Sequence, residues 1–177
     1  MIRKILLAIV LIFLITGIGF ASQDEIAFKN EPDGFRGLKW GDAPTEDMVC
    51  FGKSLCFQST YERKGDKLGI GSATFDEIWY KFNYYSCQFY EAGSSFIGTD
   101  NYNILKVIFE GRFGEPTKTY EKYSFYTLQW TGKKTEIKLC YNFERYEGFI
   151  VIKSMKIHPE SPEDNKQKEV EKAEEDF

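Results

Sequence analysis

The chain has 177 residues, 17% of which are aromatic, and its 27 acidic side chains outnumber its 23 basic ones. This length suffices for one domain with a core of ordinary size. A neutral or acidic surface lacks the positive charge that proteins use to bind nucleic-acid phosphates, so nucleic-acid binding is excluded as a function.

The first 21 residues have the pattern of a secretory signal peptide. Arg3 and Lys4 precede an apolar run that ends at Phe20, and the small residues Gly19 and Ala21 occupy the −3 and −1 positions of a cleavage site before Ser22. No cysteine directly follows the run, which argues against a lipid-anchored N-terminus. The sequence predicts a periplasmic or secreted protein with no stable membrane insertion after cleavage. The alternative is an inner-membrane protein anchored through the uncleaved segment.

The remaining chain divides into three predicted parts. Residues 22–33 form a polar, flexible lead-in, residues 34–158 form a single domain, and residues 159–177 form an acidic tail. Without Arg3 and Lys4, 21 basic residues stand against 27 acidic ones, and the tail alone holds eight carboxylates and three lysines. The domain is therefore close to neutral, and the tail has too little apolar surface to fold by itself.

The first predicted element of the domain is a short helix. Asp42 is a residue type that commonly caps helices, and Glu46 and Asp47 follow where carboxylates favour a helix N-terminus. Gly52 is the predicted end of the helix, and Met48 lies on its predicted buried side.

Most other segments have the two-residue period of strands. Alternation predicts strands at 58–65, 73–82, 86–92, 119–130, 135–143 and 148–157, with a hairpin turn at 83–85. In the strand at 135–143, Ile137, Leu139 and Tyr141 share one face, while Glu136 and Lys138 share the other. This pattern is typical of a sheet with one buried face.

A second helix is predicted between the two groups of strands. Apolar residues at 105, 108, 109 and 113 follow helical spacing, with Thr99 or Asp100 as the N-cap and Gly114 at the end. The sequence therefore predicts an α+β domain with an antiparallel sheet and helices packed on one of its faces. The order of elements also suggests two repeats, each a helix followed by three strands.

Three stretches of the domain, “GFRGLKWG”, “YERKGDKLGIGSATFDEIWYKF” and “LQWTGKKTEIKLCY”, resemble a group of uncharacterised exported bacterial proteins, found mainly in Gram-negative bacteria. The resemblance extends over residues 34–157. That group has no assigned activity, so the resemblance implies no catalytic residue. The order of elements is also similar in plan to β-lactamase-inhibitor-protein-like folds and to outer-membrane assembly lipoproteins, although a fold alone does not imply a function.

The four cysteines are Cys50, Cys56, Cys87 and Cys140. An even number in a chain predicted to be exported favours disulfide bonds. Three pairings are open; in one, Cys50 and Cys56 close a short loop while Cys87 and Cys140 tie the two halves together. The alternative is a metal site, but no two cysteines have CxxC spacing, and the single histidine, His158, lies at the end of the domain.

Aromatic residues are concentrated in “WYKFNYYSCQFY” and “YEKYSFYTLQW”. One interpretation is a core with cross-strand aromatic pairs. The other is a sheet face that binds a partner, since tyrosine and tryptophan are frequent in interfaces. The predicted binding residues on such a face are Trp79, Tyr80, Tyr84 and Tyr85. In “YERKGDK”, the basic residues predicted to bind an anionic group are Arg63, Lys64 and Lys67.

No catalytic set accompanies these residues. Asp76 and Glu77 are adjacent in a predicted strand, so they are expected to point to opposite faces and not to form an acid–base pair. We therefore expect a non-enzymatic exported domain that binds an envelope protein or glycan through an aromatic sheet face, with no cofactor and no metal. The alternatives are a carboxylate-dependent hydrolase, a carbohydrate-binding protein and a carrier of a small ligand in an apolar pocket.

Overall fold

The computed structural model describes residues 28–54 and 58–157, together with Lys166. The predicted signal peptide, Cys56, His158 and the rest of the predicted tail lie outside the described residues. Within the described ranges, no helix has the length and the apolar character needed to cross a membrane.

The described residues form one helix and twelve strands. The helix, α1, spans Thr99–Phe113. The strands are β1 (Gly34–Phe35), β2 (Leu38–Lys39), β3 (Met48–Ser54), β4 (Gln58–Arg63), β5 (Gly69–Ile70), β6 (Ala73–Thr74), β7 (Glu77–Asn83), β8 (Phe89–Ile97), β9 (Lys118–Lys122), β10 (Phe125–Thr131), β11 (Thr135–Asn142) and β12 (Glu147–Ser154).

Eight of these strands build one antiparallel sheet in the order β3-β4-β7-β8-β12-β11-β10-β9. Strands β9 to β12 follow one another along the chain and form a four-stranded meander. Strands β3, β4, β7 and β8 form a second meander, with the β5–β6 hairpin inserted between β4 and β7. The meanders meet where β8 pairs with β12, with Ala92 opposite Ile152. The short pairs β1–β2 and β5–β6 form separate hairpins. The predicted α+β class with an antiparallel sheet is therefore confirmed.

The core lies between α1 and the sheet face that carries the alternating apolar residues. Tyr102 of α1 stacks on Tyr141 with ring centroids 4.7 Å apart, and Phe109 meets Trp130 edge-on at 5.8 Å. Ile137, Leu139 and Tyr141 are all fully buried, as their period of two predicts. Burial of these large apolar side chains is the main term that stabilises the domain.

The predicted helix between Asp42 and Gly52 is wrong, because Met48–Ser54 forms strand β3. A helix of two to three turns is marginal in water, since few of its residues contribute hydrogen bonds after nucleation. In β3 the same backbone pairs with β4, with Met48 opposite Arg63. Asp42, the predicted helix cap, instead stabilises a turn, because its Oδ2 accepts a hydrogen bond from the backbone N–H of Lys39 at 2.8 Å. The two predicted helix-then-three-strand repeats are therefore not shown.

The second predicted helix is confirmed as α1, but its start is different from the prediction. Gly98 is the N-cap and offers no side-chain hydrogen bond. Thr99 Oγ1 lies 3.0 Å from the hydroxyl of Tyr141, so it joins the helix to the sheet. Gly114 ends the helix as predicted, with its N–H donating to Glu110 O at 2.9 Å.

The packed chain begins before the predicted domain boundary at Gly34. Phe28, placed by the sequence in the lead-in, is buried and meets Phe113 edge-on at 5.6 Å. Glu31 Oε1 accepts hydrogen bonds from the backbone N–H groups of Lys134 and Thr135. Residues 28–33 thus cover one end of the core rather than linking to it loosely.

The segment predicted as one strand at 119–130 is two strands, β9 and β10, joined by a turn of Tyr123 and Ser124. Both turn residues have a left-handed φ, 53° and 63°. Hairpin turns of this kind favour Asn-Gly, because other residues are strained there. We expect Tyr123→Asn combined with Ser124→Gly to raise the free energy of unfolding by about 1 kcal/mol. Urea unfolding followed by circular dichroism checks this, and an unchanged or lower midpoint would contradict it.

Tyr102 makes the free energy of unfolding depend on pH in the alkaline range. Burial, with smaller contributions from Tyr126 and Glu110, raises the pKa of Tyr102 to about 12. A raised pKa in the folded state means that this contribution is complete below pH 10 and is lost as the pH rises toward 12. We expect the wild type to lose about 2 kcal/mol more than Tyr102→Phe across this window. Urea unfolding at both pH values measures the difference, and Tyr123→Phe, at an exposed position, is the control.

Candidate functional site

The sheet face opposite α1 is not covered by another element of the described chain, and we call it the open face. Across its centre run Trp79, Gly93, Val151 and Lys138, each opposite the next on neighbouring strands. Trp79, Val151 and Lys138 are half-buried, so this face is partly apolar and accessible to a partner.

Trp79 lies flat on the sheet because Gly93 has no side chain. A Cβ atom at Gly93 would lie 2.3 Å from Cζ2 and 2.7 Å from Nε1 of Trp79, so only glycine leaves room for the ring. The indole N–H groups of Trp40 and Trp130 donate hydrogen bonds within the domain. Among the residues that the structure describes, the N–H of Trp79 has no such partner. The ring therefore offers an aromatic face and an unused donor.

Beside Trp79 the open face holds a groove of about 400 Å³. Phe125 and Phe149 form its opposite wall, with ring centroids 5.2 Å apart. We call it the aromatic groove; its lining residues are Asp76, Trp79, Ser95, Phe96, Ile97, Phe125, Glu147, Gly148 and Phe149. Its volume is within the range of small-ligand sites, which are concave and mostly apolar.

The charged groups that line the aromatic groove are carboxylates. Asp76 and Glu147 line it, and Glu77 Oε1 accepts a hydrogen bond from Ser95 Oγ at 3.3 Å. Asp76 precedes β7 instead of lying within it, and its N–H donates to Ser95 O at 3.0 Å. The expectation placed both residues in one strand, whereas Glu77 is the first residue of β7 and only Asp76 lines the groove. Arg145, exposed at the surface, is 3.5 Å from Glu147.

The lysines of the open face are paired with carboxylates away from the groove. Lys81, Glu91, Lys153 and Glu136 stand opposite one another on four neighbouring strands. Lys81 Nζ is 2.6 Å from Glu91, while Lys153 and Lys138 each lie 3.0 Å from Glu136 Oε1. Burial acts to raise the pKa of Glu136, but the hydrogen bonds from Lys153 and Lys138 outweigh it and hold that pKa below its usual value. The three lysines and two carboxylates leave one net positive charge in this network.

The structure separates the predicted aromatic binding residues. Trp79 lies on the open face, whereas Tyr80 is fully buried on the other face and donates a hydrogen bond from its hydroxyl to Asp66 at 2.5 Å. Tyr84 and Tyr85 are exposed in the turn between β7 and β8, at the opposite end of the sheet from the groove. Their rings meet edge-on at 5.3 Å. These four residues do not form one surface, and Tyr80 is not available to a partner.

The predicted anion site also separates into two parts. Arg63 is held inside the domain, because its Nη1 donates to Arg36 O at 2.9 Å and its guanidinium lies over the ring of Tyr80 at 5.1 Å. Lys64 and Lys67 are exposed in the loop between β4 and β5. Arg63 therefore has a structural role, and the lysines alone make a solvated loop.

The three described cysteines, Cys50, Cys87 and Cys140, are free thiols. A Cys87–Cys140 bond is wrong for this fold. Cys140 lies in the middle of β11 opposite Phe149, two strands from β8, and strands are about 4.8 Å apart. The two Cα atoms are thus too far apart for a disulfide, which needs about 7 Å or less. Pairings with Cys56 lie outside the described residues.

The sequence contains signals for the groove residues that were missed. In β12, Phe149 and Val151 alternate with the core residues Ile150 and Ile152, so both faces of the strand are apolar. When only one face of a sheet is covered, a strand that is apolar on both faces leaves apolar surface exposed on the uncovered face. Gly93, inside an otherwise regular strand, indicates a close approach of another group.

Comparisons with protein-family models, curated proteins and solved structures gave no match to this chain. The described residues contain no group of three or more histidine, cysteine, aspartate or glutamate side chains that could hold a metal ion. The aromatic groove is therefore the site for which the geometry gives a specific argument.

Proposed function

We propose that the chain is an exported, non-enzymatic binding domain that takes an envelope protein on its open face, with the aromatic groove at the centre of the contact. The observation that carries this proposal is Trp79 lying flat over Gly93 with its N–H unused by the described chain. Tryptophan is enriched among the residues that dominate interface energies, and the N–H of Trp79 is a donor that a partner can accept from.

The surroundings of the groove favour a partner larger than a small molecule. Ile97 lines the groove and has 64% of its surface exposed. Tyr146, in the turn that leads to Glu147, and Tyr123, in the turn that leads to Phe125, are exposed at the same end of the sheet. Exposed apolar and aromatic side chains around a groove are typical of protein interaction sites.

The proposal is tested by ligand selection on the purified chain. A random peptide library is screened on the immobilised chain, and each retained peptide is titrated against the wild type, Trp79→Ala and Tyr85→Ala. We expect binding to weaken about tenfold or more in Trp79→Ala, as for a central interface residue. Tyr85→Ala, at the opposite end of the sheet, should bind as the wild type does. Retained peptides that bind all three equally, or no retained peptide at all, would contradict the proposal.

A glycan is the second candidate occupant of the same site. A flat, half-buried tryptophan beside Asp76, Ser95 and Glu147 offers one apolar platform and several hydrogen-bonding groups, which suits the two kinds of surface on a sugar ring. An array of envelope glycans, read with the same three proteins, separates this candidate from a polypeptide partner. Release of reducing ends from a bound glycan would instead favour the carboxylate-dependent hydrolase.

A further inference from the structure

We propose that the aromatic groove receives the cationic side chain of a lysine or arginine from the partner polypeptide; this inference rests on the proposed function and names the chemistry of its ligand. The walls of the groove are aromatic faces, Trp79 on one side and Phe125 with Phe149 on the other. A cation near the face of a ring is attracted by the ring quadrupole, and tryptophan is the strongest of the three aromatic types.

The charge of the groove is complementary to such a side chain. Asp76 and Glu147 line it and Glu77 lies beside Ser95, while none of the described lining residues is a lysine or an arginine. The neighbouring lysines of the open face pair with Glu91 and Glu136 and do not line the groove. Arg145, whose side chain is largely exposed, lies 3.5 Å from Glu147. A cation would therefore gain both ring and carboxylate contacts.

The lining of the groove, with apolar rings and carboxylates side by side, also suits a long amphipathic side chain better than a compact ion. Apolar stems of lysine and arginine can lie along Phe125 and Phe149 while the charged head reaches Asp76 or Glu147. An anionic or purely apolar side chain would leave these carboxylates repelled or desolvated without compensation.

The test compares two small probes that differ only by the ammonium group of the side chain. N-acetyl-lysine methylamide and its norleucine counterpart are titrated into the purified ¹⁵N-labelled chain, and the indole N–H resonance of Trp79 is followed by NMR. We expect the lysine probe to bind about fivefold more tightly, with a loss of this advantage at high salt. In Asp76→Asn combined with Glu147→Gln, the advantage should disappear, whereas the exposed control Glu121→Gln should keep it.

The outcomes separate this inference from the proposed function. Equal binding of the two probes overturns the inference of a cationic ligand. A selected peptide whose binding depends on Trp79 but which contains neither lysine nor arginine also overturns it. Both results leave the proposed binding role of the groove intact. If no selected ligand depends on Trp79, the proposed function fails as well. If the lysine probe still binds more tightly than the norleucine probe in the double variant, its ammonium group is recognised outside the groove, and the inference is overturned.

Discussion

Replacing Gly93 by alanine is expected to lower the free energy of unfolding by about 2 kcal/mol, which is typical when a group is forced into occupied space. The new Cβ atom would fall 2.3 Å from the ring of Trp79, and the strands cannot separate because Trp79 and Gly93 are directly paired in the sheet. The indole must therefore leave the sheet surface and lose its contacts there. Urea unfolding followed by circular dichroism measures the loss.

A double-mutant cycle with Trp79→Ala shows whether the ring is the cause. In that background we expect Gly93→Ala to cost less than about 0.5 kcal/mol, because alanine is better tolerated than glycine in a strand once the collision is removed. Ser95→Ala, two residues further along the same face, adds no atoms and serves as control. The same cost of Gly93→Ala in both backgrounds would contradict the flat placement of Trp79.

Asp66→Asn is expected to destabilise the domain by about 3 kcal/mol, because it breaks a largely buried ion pair and weakens a buried hydrogen bond. Asp66 pairs with Arg36, and their side chains are only 11% and 17% exposed. It also accepts the hydroxyl of Tyr80, which is fully buried; burial first, and then this hydrogen bond, raise the pKa of Tyr80. Chemical unfolding of the purified variant measures the loss.

The contribution of the Tyr80 hydroxyl can be separated from that of Arg36. Combining Asp66→Asn with Tyr80→Phe should cost less than the two single changes added together, by about 1 kcal/mol, since the first weakens and the second removes the same hydrogen bond. Glu62→Gln, an exposed position on the same strand as Arg63, should change stability by less than about 0.5 kcal/mol. Strict additivity of Asp66→Asn and Tyr80→Phe would contradict the contact.

Most strands and α1 could be predicted because the spacing of their apolar residues shows which face of each element is buried. Ile137 and Leu139 alternate with charged residues on β11, and Leu105 and Phe109 repeat with a helical period on α1. β3 could not be predicted, because the residues near Asp42 satisfy the rules for a helix start equally well. Its state is decided by pairing with β4, and that is a contact between segments rather than a property of one segment.

The candidate site could be predicted only in part for a similar reason. Because side chains alternate along β7, Trp79 lies on the other face of the sheet from the core residues Ile78 and Tyr80. Its outward position can therefore be predicted from the sequence. Its position over Gly93 depends on the register between β7 and β8, and an irregularity at Lys81–Phe82 shifts that register. The approach of Phe149 to the same site depends on β12, which pairs with β8 from the other meander.

The pairing of β8 with β12 has a consequence for how the domain acquires its structure. Each meander joins strands that are close along the chain, whereas Ala92 and Ile152 belong to opposite halves of it. Pairing β8 with β12 closes a longer loop than pairing strands within one meander, and it therefore costs more chain entropy. The β8–β12 pairing, which we call the central seam, should accordingly form after the transition state for folding. Ile152→Val should accordingly accelerate unfolding and leave the refolding rate nearly unchanged in stopped-flow experiments, and a slower refolding rate would place the seam in the nucleus. The open face and its groove would then be completed last, as the two halves meet.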